Sequence, residues 1–273
     1  MHTTPQPPVT RAESGSAQQK PSSLVGADRV VAVLKRLAAY PDGVTLETLA
    51  RELQSPKPSI HRALAVLRRA GLADQDRHGC YVLGDEFLRL AFVHHERRPE
   101  HVRIRPALEA LAARFGETAH YAVLDRHEVV YRAKVDPAHG AVRLTSVVGG
   151  RNPAHVTAVG KMLLAHLLHT PWDVKQWVGK RTLEARTVNS LTSPTVLSGE
   201  LDVIRQRGFA VDDQESELGV VCLALPVYLT STAVPAGAVS VSAFAFRTPL
   251  EKLVAGVEDI KRELSCLSGI AER

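Results

Sequence analysis

The clearest hydrophobic pattern is a pair of short amphipathic segments between Thr45 and Arg69. Apolar residues recur every three or four positions, at Leu46, Leu49, Ala50 and Leu53 and then at Ile60, Leu64 and Leu67. This spacing places each set on one face of a helix. Thr45 suits the N-cap of the first helix. Ser55 and Pro56 suit the N-cap and first position of the second, which Gly71 ends. The pattern predicts helix, tight turn, helix.

The polar face of the second helix is basic. It carries four Lys or Arg residues and no acid between Lys57 and Arg69. Cations neutralise DNA phosphates, while Ser, His and Arg side chains reach base edges in the major groove. The candidate DNA-binding residues of this helix are Lys57, Ser59, His61, Arg62 and Arg69. Taken alone, the pattern also fits an ordinary solvated basic face.

Two short strand patterns follow this helix and favour DNA contact over an ordinary solvated face. Leu72–Gln75 and Cys80–Gly84 flank the turn Asp76–Gly79, which predicts a small hairpin. A helix-turn-helix followed by a hairpin is a winged helix. Arg77 at the hairpin tip is placed to reach a phosphate or the minor groove. Together these elements favour nucleic-acid binding over an unrelated helical module.

The rest of the chain divides by composition. Residues 1–23 are rich in Pro, Ser, Thr and Gln and predict a disordered tail. The segment Glu86–His95 is apolar on more than one side, which predicts cover by a partner chain, and Pro99 marks a hinge after it. We therefore expect a tail at 1–23, a DNA-binding domain at 24–85, a linker helix and hinge at 86–102 and an effector-binding domain at 103–273.

The second domain mixes helix and strand patterns. Apolar spacing predicts a helix that carries Ile104, Leu108, Leu111 and Phe115 and stops at Gly116. Strands are expected over 118–124, 129–135, 142–148, 220–227 and 238–246. Further helices are expected from 157, over 197–207 and over 250–267. Hairpins flanked by helices make the fold class α+β, with an antiparallel sheet in the second domain.

Composition sets wider limits. The 273 residues, 45% of them hydrophobic, suffice for one large or two ordinary domains, and the net charge of +5 is compatible with DNA contact. No stretch approaches the ~20 apolar residues of a membrane span, and the first residues lack the apolar core of a signal peptide. Cys80, Cys222 and Cys266 lie far apart without a CxxC motif. We expect a cytoplasmic protein without a cofactor.

Several segments, in this order, resemble one known family. They are SIHRAL, AGL and YVLG in the first domain, and GETAHYAVLDRHEVVYRAKVD, VGGRNPAHVTAVGKMLLAHL, GFAVDDQESELGVVCLALPVY and SVSAF in the second. The chain resembles the isocitrate lyase regulator (IclR) family of bacterial transcription factors. The resemblance implies a winged helix-turn-helix, a dimerising linker helix and a GAF-like effector domain. It also implies homodimers or homotetramers and control of catabolic operons by small organic acids.

The resemblance also implies site positions. Lys57, Ser59, His61 and Arg62 match the family's recognition segment. Positions that line the effector pocket in the family are matched by Ala158, Val159, Gly160, Asp212, Cys222, Ser240 and Ser242. The chain departs from the pattern at Gln54-Ser55, where many members carry Gly-Leu, and at Pro58.

These effector positions make chemical sense. The N–H groups of residues 158–160 would open a helix and attract a carboxylate. Ser240 and Ser242 share one face of a strand and can donate hydrogen bonds, although a solvent-facing edge strand explains them equally well. Asp212 suits a ligand hydroxyl, whereas the acids at 213, 215 and 217 read as a solvated turn. A buried structural thiol is the default for Cys222.

The sequence raises three other functions. An enzyme is disfavoured because the chain has no GxSxG elbow, P-loop or GxGxxG, so no catalytic residue is assigned. His155, His166 and His169 raise metal sensing, and Cys222 raises redox sensing. We predict a DNA-binding regulator of a pseudo-palindromic operator, modulated by a small organic or aromatic acid. The alternative is a redox- or metal-responsive regulator.

Overall fold

The computed structural model describes residues 26–96, 99–138, 144–229, 231–265 and 267. They form two compact units that divide between His94 and His95. The expected tail at 1–23, Cys266 and part of the expected strand at 142–148 lie outside the described residues. Within the described ranges, no helix combines the length and apolar character needed to cross a membrane.

The first unit is a winged helix, as predicted. Its elements are α1 Gly26–Leu37, α2 Leu46–Glu52, α3 Lys57–Arg69, β1 Ala73–Gln75, β2 Tyr81–Leu83 and α4 Asp85–Glu96. The predicted apolar faces of α2 and α3 meet α1 in one core, which includes Val33, Leu37, Leu49, Ile60, Leu64 and Leu67. Strands β1 and β2 pair antiparallel. Burial of this core fixes the polar face of α3 outward.

The ends of the helix pair correct the sequence interpretation by one residue. The Thr45 hydroxyl accepts a hydrogen bond from Thr48 N at 3.2 Å, as an N-cap should. Helix α3 begins at Lys57 with Pro56 as its N-cap, whereas we expected Ser55 there. The Ser55 hydroxyl donates to Leu53 O at 3.0 Å, and α3 has no side-chain cap hydrogen bond. Gly71 follows the helix with φ +68°, as a terminating glycine should.

The second unit contains a six-stranded antiparallel sheet. Its helices are α5 Pro99–Phe115, α6 Ala158–Leu167, α7 Pro171–Val178, α8 Pro194–Arg207, α9 Leu250–Ala255 and α10 Val257–Ser265. Its strands are β3 Thr118–Asp125, β4 Glu128–Val135, β5 Arg151–Pro153, β6 Ala210–Asp213, β7 Val220–Val227 and β8 Gly237–Phe244. They lie in the order β5-β4-β3-β8-β7-β6. The predicted α+β class is confirmed.

Helices cover both faces of this sheet. One face packs against α5, α9 and α10 through residues that include Ile104, Leu108, Leu111, Val239, Val241, Leu253 and Ile260. The other face packs against α6, with α8 packed on α6 and α7 on α8. This core includes Val159, Met162, Val174, Leu197, Leu201, Ala224 and Ala238. Because side chains alternate along a strand, each central strand contributes to both cores.

Several predictions for this unit need correction. Residues 144–148 form no strand, because they leave the sheet and cross over its face. The expected helix at 250–267 is interrupted at Gly256, where a Cβ would lie 2.5 Å from the Phe115 ring. Pro99 begins α5, so the chain is helical from this residue onward. The short elements β5, β6 and α7 were not predicted.

Candidate functional site

The exposed face of α3 carries the predicted DNA-binding residues. Lys57, His61, Arg62 and Arg69 are exposed and Ser59 is half-buried. The Arg62 guanidinium donates to the Ser59 hydroxyl at 3.3 Å, so these two side chains are held together. Lys57 pairs with Glu47 of α2 at 3.0 Å, which holds the pKa of that carboxyl below its usual value. A phosphate would compete with Glu47 for Lys57.

The hairpin tip is ordered by one carboxylate. Asp76 Oδ1 accepts hydrogen bonds from His78 N at 2.9 Å and from Cys80 N at 2.8 Å. Arg77 lies between Asp76 and His78 in this turn, and its side chain is exposed. The wing thus presents one cation on a fixed turn, as predicted from the Asp-Arg-His-Gly sequence.

A cavity of about 240 Å³ lies against the sheet of the second unit. Its floor is formed by His120 on β3, Tyr131 on β4, Cys222 on β7 and Ser242 on β8. Cys222 and Ser242 are register partners across β7 and β8. Its walls come from residues 144–147 and 150–152, Arg186, Ser216, Glu217 and Val220. A small, partly polar cleft of this kind is the usual form of a ligand site.

His120 joins the floor of the cavity to its wall. Its ring is buried, with Nε2 2.7 Å from Ser146 Oγ and Nδ1 3.4 Å from Ser242 Oγ. Burial, and then the charge of Lys134, lowers the pKa of His120 to about 3. The Lys134 ammonium donates to Leu144 O at 2.9 Å and to Ser146 O at 2.8 Å. A neutral imidazole and one lysine therefore hold the 144–146 wall against the sheet.

Tyr131 brings a hydroxyl to the same floor. The Asn152 amide donates to Tyr131 Oη at 3.3 Å, so the phenol oxygen is an acceptor and its own proton can be donated elsewhere. Burial raises the pKa of Tyr131 to about 12, and the charge of Arg186 partly opposes that rise. The phenol is therefore a neutral donor at neutral pH.

The seven predicted effector residues are divided by the structure. Cys222 and Ser242 line the cavity, and Ser240 lies behind them with its Oγ 3.5 Å from Ser242 Oγ. Both serines are buried on the central strand β8, so they do not occupy a solvent-facing edge. Asp212, Ala158, Val159 and Gly160 are buried outside the cavity lining.

Asp212 and the start of α6 serve local structure. The Asp212 carboxylate accepts from Glu215 N at 2.7 Å and from the Ser216 hydroxyl at 2.6 Å, and burial raises its pKa. It thereby orders the turn that carries Ser216 into the cavity wall. Gly160 N donates to the Thr157 hydroxyl at 3.1 Å, an N-cap interaction that uses one of the N–H groups expected to bind a carboxylate.

Sequence reasoning missed His120, Tyr131, Arg186 and a buried ion pair of Lys161 with Glu215. Glu215 was expected in a solvated turn, but it is buried. Two signals were present. His120 has the strand parity of Ala122, which faces the α6 side of the sheet. Lys161 is the only charged residue in the apolar run Ala158–Ala165, where a buried charge needs a partner.

The surroundings of Cys222, His155 and His166 do not favour redox or metal chemistry. Part of Cys222 faces the cavity, yet burial raises the pKa of its thiol well above the usual value, which disfavours the reactive thiolate. His155 Nε2 lies 2.9 Å from Glu184 O, and His166 contacts Met162 O at 3.0 Å and Tyr228 Oη at 2.9 Å. Among the described residues, no three His, Cys, Asp or Glu side chains converge as metal ligands do.

Two protein-family models match this chain. Residues 26–77 match the IclR helix-turn-helix domain, and residues 101–266 match the C-terminal domain of bacterial transcriptional regulator IclR. The HTH-type transcriptional regulator BhcR of Paracoccus denitrificans is 32% identical over 242 residues, which cover 87% of this chain and 85% of BhcR.

Solved structures have the same fold. The IclR crystal structure from Thermotoga maritima superimposes with a TM-score of 0.71 at 26% identity, covering 88% of this chain and 95% of that one. An IclR homolog from Microbacterium hydrocarbonoxydans, complexed with 4-hydroxybenzoate, gives a TM-score of 0.67 at 22% identity and covers 86% and 99%. The chain therefore belongs to the IclR family of bacterial transcriptional regulators, which are DNA-binding proteins and not enzymes.

Proposed function

We propose that two copies of this chain read a pseudo-palindromic operator in the cytoplasm and that a small organic acid in the sheet cavity changes operator affinity. The proposed division is the DNA-binding domain at 24–85, the linker at 86–102 and the effector domain at 103–273. The observation that carries the proposal is the outward face of α3, where Arg62 and Ser59 are held together at 3.3 Å beside other exposed cations.

Each protein group has a distinct task in DNA binding. Ser59, His61 and Arg62 lie in the first two turns of α3, the part of a recognition helix that contacts base edges. Lys57, Arg69 and Arg77 are assigned to phosphates or, for the wing, to the minor groove. Two such modules bind half-sites about one helical turn apart, which accounts for the expected operator symmetry.

The apolar surface of α4 supports the dimer. Leu88, Leu90, Phe92 and Val93 are all exposed in the single chain, with Phe92 60% exposed. Apolar side chains exposed on more than one side of a helix are normally covered, and a second copy of the same helix can cover them symmetrically. Association of two dimers into a tetramer would use other surfaces and belongs to the same proposal.

The effector is assigned to the cavity, not to the α6 N-terminus. The cavity offers serine, tyrosine and guanidinium donors at its lining, whereas residues 158–160 are buried outside it. The Microbacterium homolog holds 4-hydroxybenzoate in the same fold. An effector changes operator affinity only if it binds two arrangements of the dimer unequally.

Fluorescence anisotropy tests this function directly. Purified full-length protein is titrated onto the DNA upstream of its own gene and onto scrambled DNA, across a salt series. We expect tight, sequence-dependent binding with a steep salt slope, because several phosphates are neutralised. The titration is repeated with small organic acids present, and at least one should change operator affinity.

Two results would contradict the proposed function. Equal binding to operator candidates from across the genome and to scrambled DNA would contradict sequence-specific regulation. Binding of one chain per full operator, measured by stoichiometric titration, would contradict the dimer.

A further inference from the structure

The guanidinium groups at the cavity differ in whether a carboxylate of the protein already pairs with them. Among the described residues, two arginines, Arg151 and Arg186, line the cavity. Arg151 is already paired, with Asp125 and with Glu128, the latter at 2.9 Å. No described carboxylate lies within the 4.0 Å ion-pair distance of Arg186. Only Arg186 is therefore an uncommitted cation in this lining.

Arg186 is mounted on an ordered turn. Its backbone N and that of Thr187 both donate to the Ser190 hydroxyl at 2.9 Å. Ser190 in turn donates to Glu215 O at 2.7 Å, and Thr187 donates to Gln214 O at 2.7 Å. These bonds fasten residues 186–190 to the turn after β6. The backbone at Arg186 is therefore already ordered, so ligand binding has to order only its exposed side chain.

A second donor faces the same ligand space. The Tyr131 hydroxyl receives a hydrogen bond from Asn152, which leaves its own proton to donate into the cavity. Arg186 and Tyr131 both line this cavity. A guanidinium and a neighbouring O–H are a suitable pair for one carboxylate, since charge-assisted hydrogen bonds are the stronger ones.

Among the described lining residues, one carboxylate, that of Glu217, limits the ligand charge. Glu217 is exposed, and no described cation pairs with it within 4.0 Å. Its negative charge repels a second anionic group in this small space, whereas a ligand hydroxyl can donate to it. Among the described lining residues, Arg186 and Glu217 are the charged side chains without an ion-pair partner, and together they select the ligand by charge.

We infer that Arg186, with the Tyr131 hydroxyl, binds the effector carboxylate, and that Glu217 excludes dicarboxylates, so the effector class is a small monocarboxylic acid. This inference rests on the proposed function, because it specifies the ligand of the cavity assigned there. It moves the anion-binding role from the buried α6 N-terminus to a side chain on the 186–190 turn.

Titration calorimetry on the full-length protein tests the assignment with three matched probes. They are 4-hydroxybenzoate, its neutral analogue 4-hydroxybenzamide and the dicarboxylate terephthalate. Wild type should bind the acid at least about tenfold more tightly than either analogue, as expected for one charge-assisted contact. Failure to bind the acid, or equal affinity for acid and amide, would overturn the assignment.

Variants then locate the contact. Arg186→Gln should weaken 4-hydroxybenzoate about tenfold or more and leave the amide unchanged, with Arg186→Lys between them because it keeps charge but loses the planar fork. Glu217→Gln should improve terephthalate selectively. Arg181→Gln, on the same segment but outside this cavity, makes the same change in net charge and should have no effect. Equal losses in Arg186→Gln and Arg181→Gln would refute a specific contact.

Operator binding separates this inference from the regulatory proposal. Arg186→Gln should bind the operator as wild type does in the absence of acid, and should lose the response to it. If acid binding depends on Arg186 but wild type has no sequence-specific operator, the proposed function fails and the carboxylate assignment stands. If operator control is normal but acid binding ignores Arg186, the reverse holds.

Discussion

Lys161 and Glu215 form an ion pair inside the second unit, between α6 and the turn that follows β6. Lys161 is 1% exposed and Glu215 is 7% exposed. Asp212 lies close enough for the Lys161 charge to influence its pKa, and the Glu200 carboxylate is 3.9 Å from the ammonium. One buried cation therefore balances several carboxylates beneath the cavity wall.

Loss of that cation should be costly. Lys161→Met keeps the volume of the side chain but leaves Glu215 buried without its counter-charge. Breaking a buried pair from one side costs about 3 kcal/mol or more. Urea denaturation at pH 8, above the raised pKa of Glu215 of about 7, should show this loss, and the double variant Lys161→Met/Glu215→Leu should recover most of it. A single variant as stable as wild type would contradict the importance of the pair.

His120 should make the protein less stable in acid. Its pKa is lowered to about 3, so the folded state keeps it neutral while the unfolded chain binds a proton below about 6.5. The stability contributed by His120 is therefore complete above pH 6.5 and declines as the pH falls toward 3. Between pH 7 and 5 the loss should be about 2 kcal/mol, and His120→Asn should not show it. Denaturation curves at the two pH values, with His169→Asn as control, test this.

Glu215 should act in the opposite direction. Burial raises its pKa to about 7, so between about pH 4.5 and 7 the folded state binds a proton that the unfolded chain has released. The free energy of unfolding then falls as the pH rises through this window. Relative to wild type, Glu215→Gln should gain stability at pH 7 compared with pH 5. An unchanged difference between the two proteins across this range would refute the raised pKa.

A glycine in the turn between α2 and α3 should increase the stability of the protein. Gln54 has φ +46°, in the left-handed region that side chains other than glycine occupy at a cost. Gln54→Gly should therefore raise the free energy of unfolding by about 1 kcal/mol. Gln54→Ala, which keeps a Cβ, should change it little. Thermal denaturation distinguishes the two, and a destabilising glycine would show that the Gln54 side chain is needed.

DNA affinity should depend more on Arg62 than on Lys57. Arg62 is exposed and paired only with the neutral Ser59, whereas Lys57 must first leave Glu47. Arg62→Ala should weaken operator binding about tenfold or more and relax sequence preference, as for a base contact. Lys57→Ala should cost less and act equally on all sequences, and Glu47→Gln should strengthen binding. Operator affinity unchanged in Arg62→Ala would remove it from the interface.

Periodicity was informative where one face of an element is buried. The spacing of Ile60, Leu64 and Leu67 predicted the orientation of α3, and the two-residue spacing of Ser240 and Ser242 predicted their shared face. In both cases local geometry alone decides which side chains lie together. The same logic extends to the hairpin of β3 and β4, whose strands begin and end within a residue of the expected positions.

Features that depend on distant partners were not accessible in the same way. The burial of Glu215 follows from Lys161, 54 positions away, and the break at Gly256 follows from close packing against Phe115. The apolar residues at 144–148 predicted a strand, but in the structure the Lys134 side chain donates to Leu144 O and Ser146 O and holds this segment as the cavity wall. Short elements such as β5, with three residues, carry too little pattern to be recognised.

The alternation along β8 has a mechanical consequence. Ser242 faces the cavity, while its neighbours Val241 and Ala243 are packed in the core beneath α5. A ligand that displaces the Ser242 side chain by a fraction of an ångström therefore moves a strand whose adjacent residues pack in the core beneath α5. In the proposed function, the effector contact at Ser242 and the core beneath α5 are therefore one residue apart along β8, and a close-packed core transmits a displacement because it contains little free space.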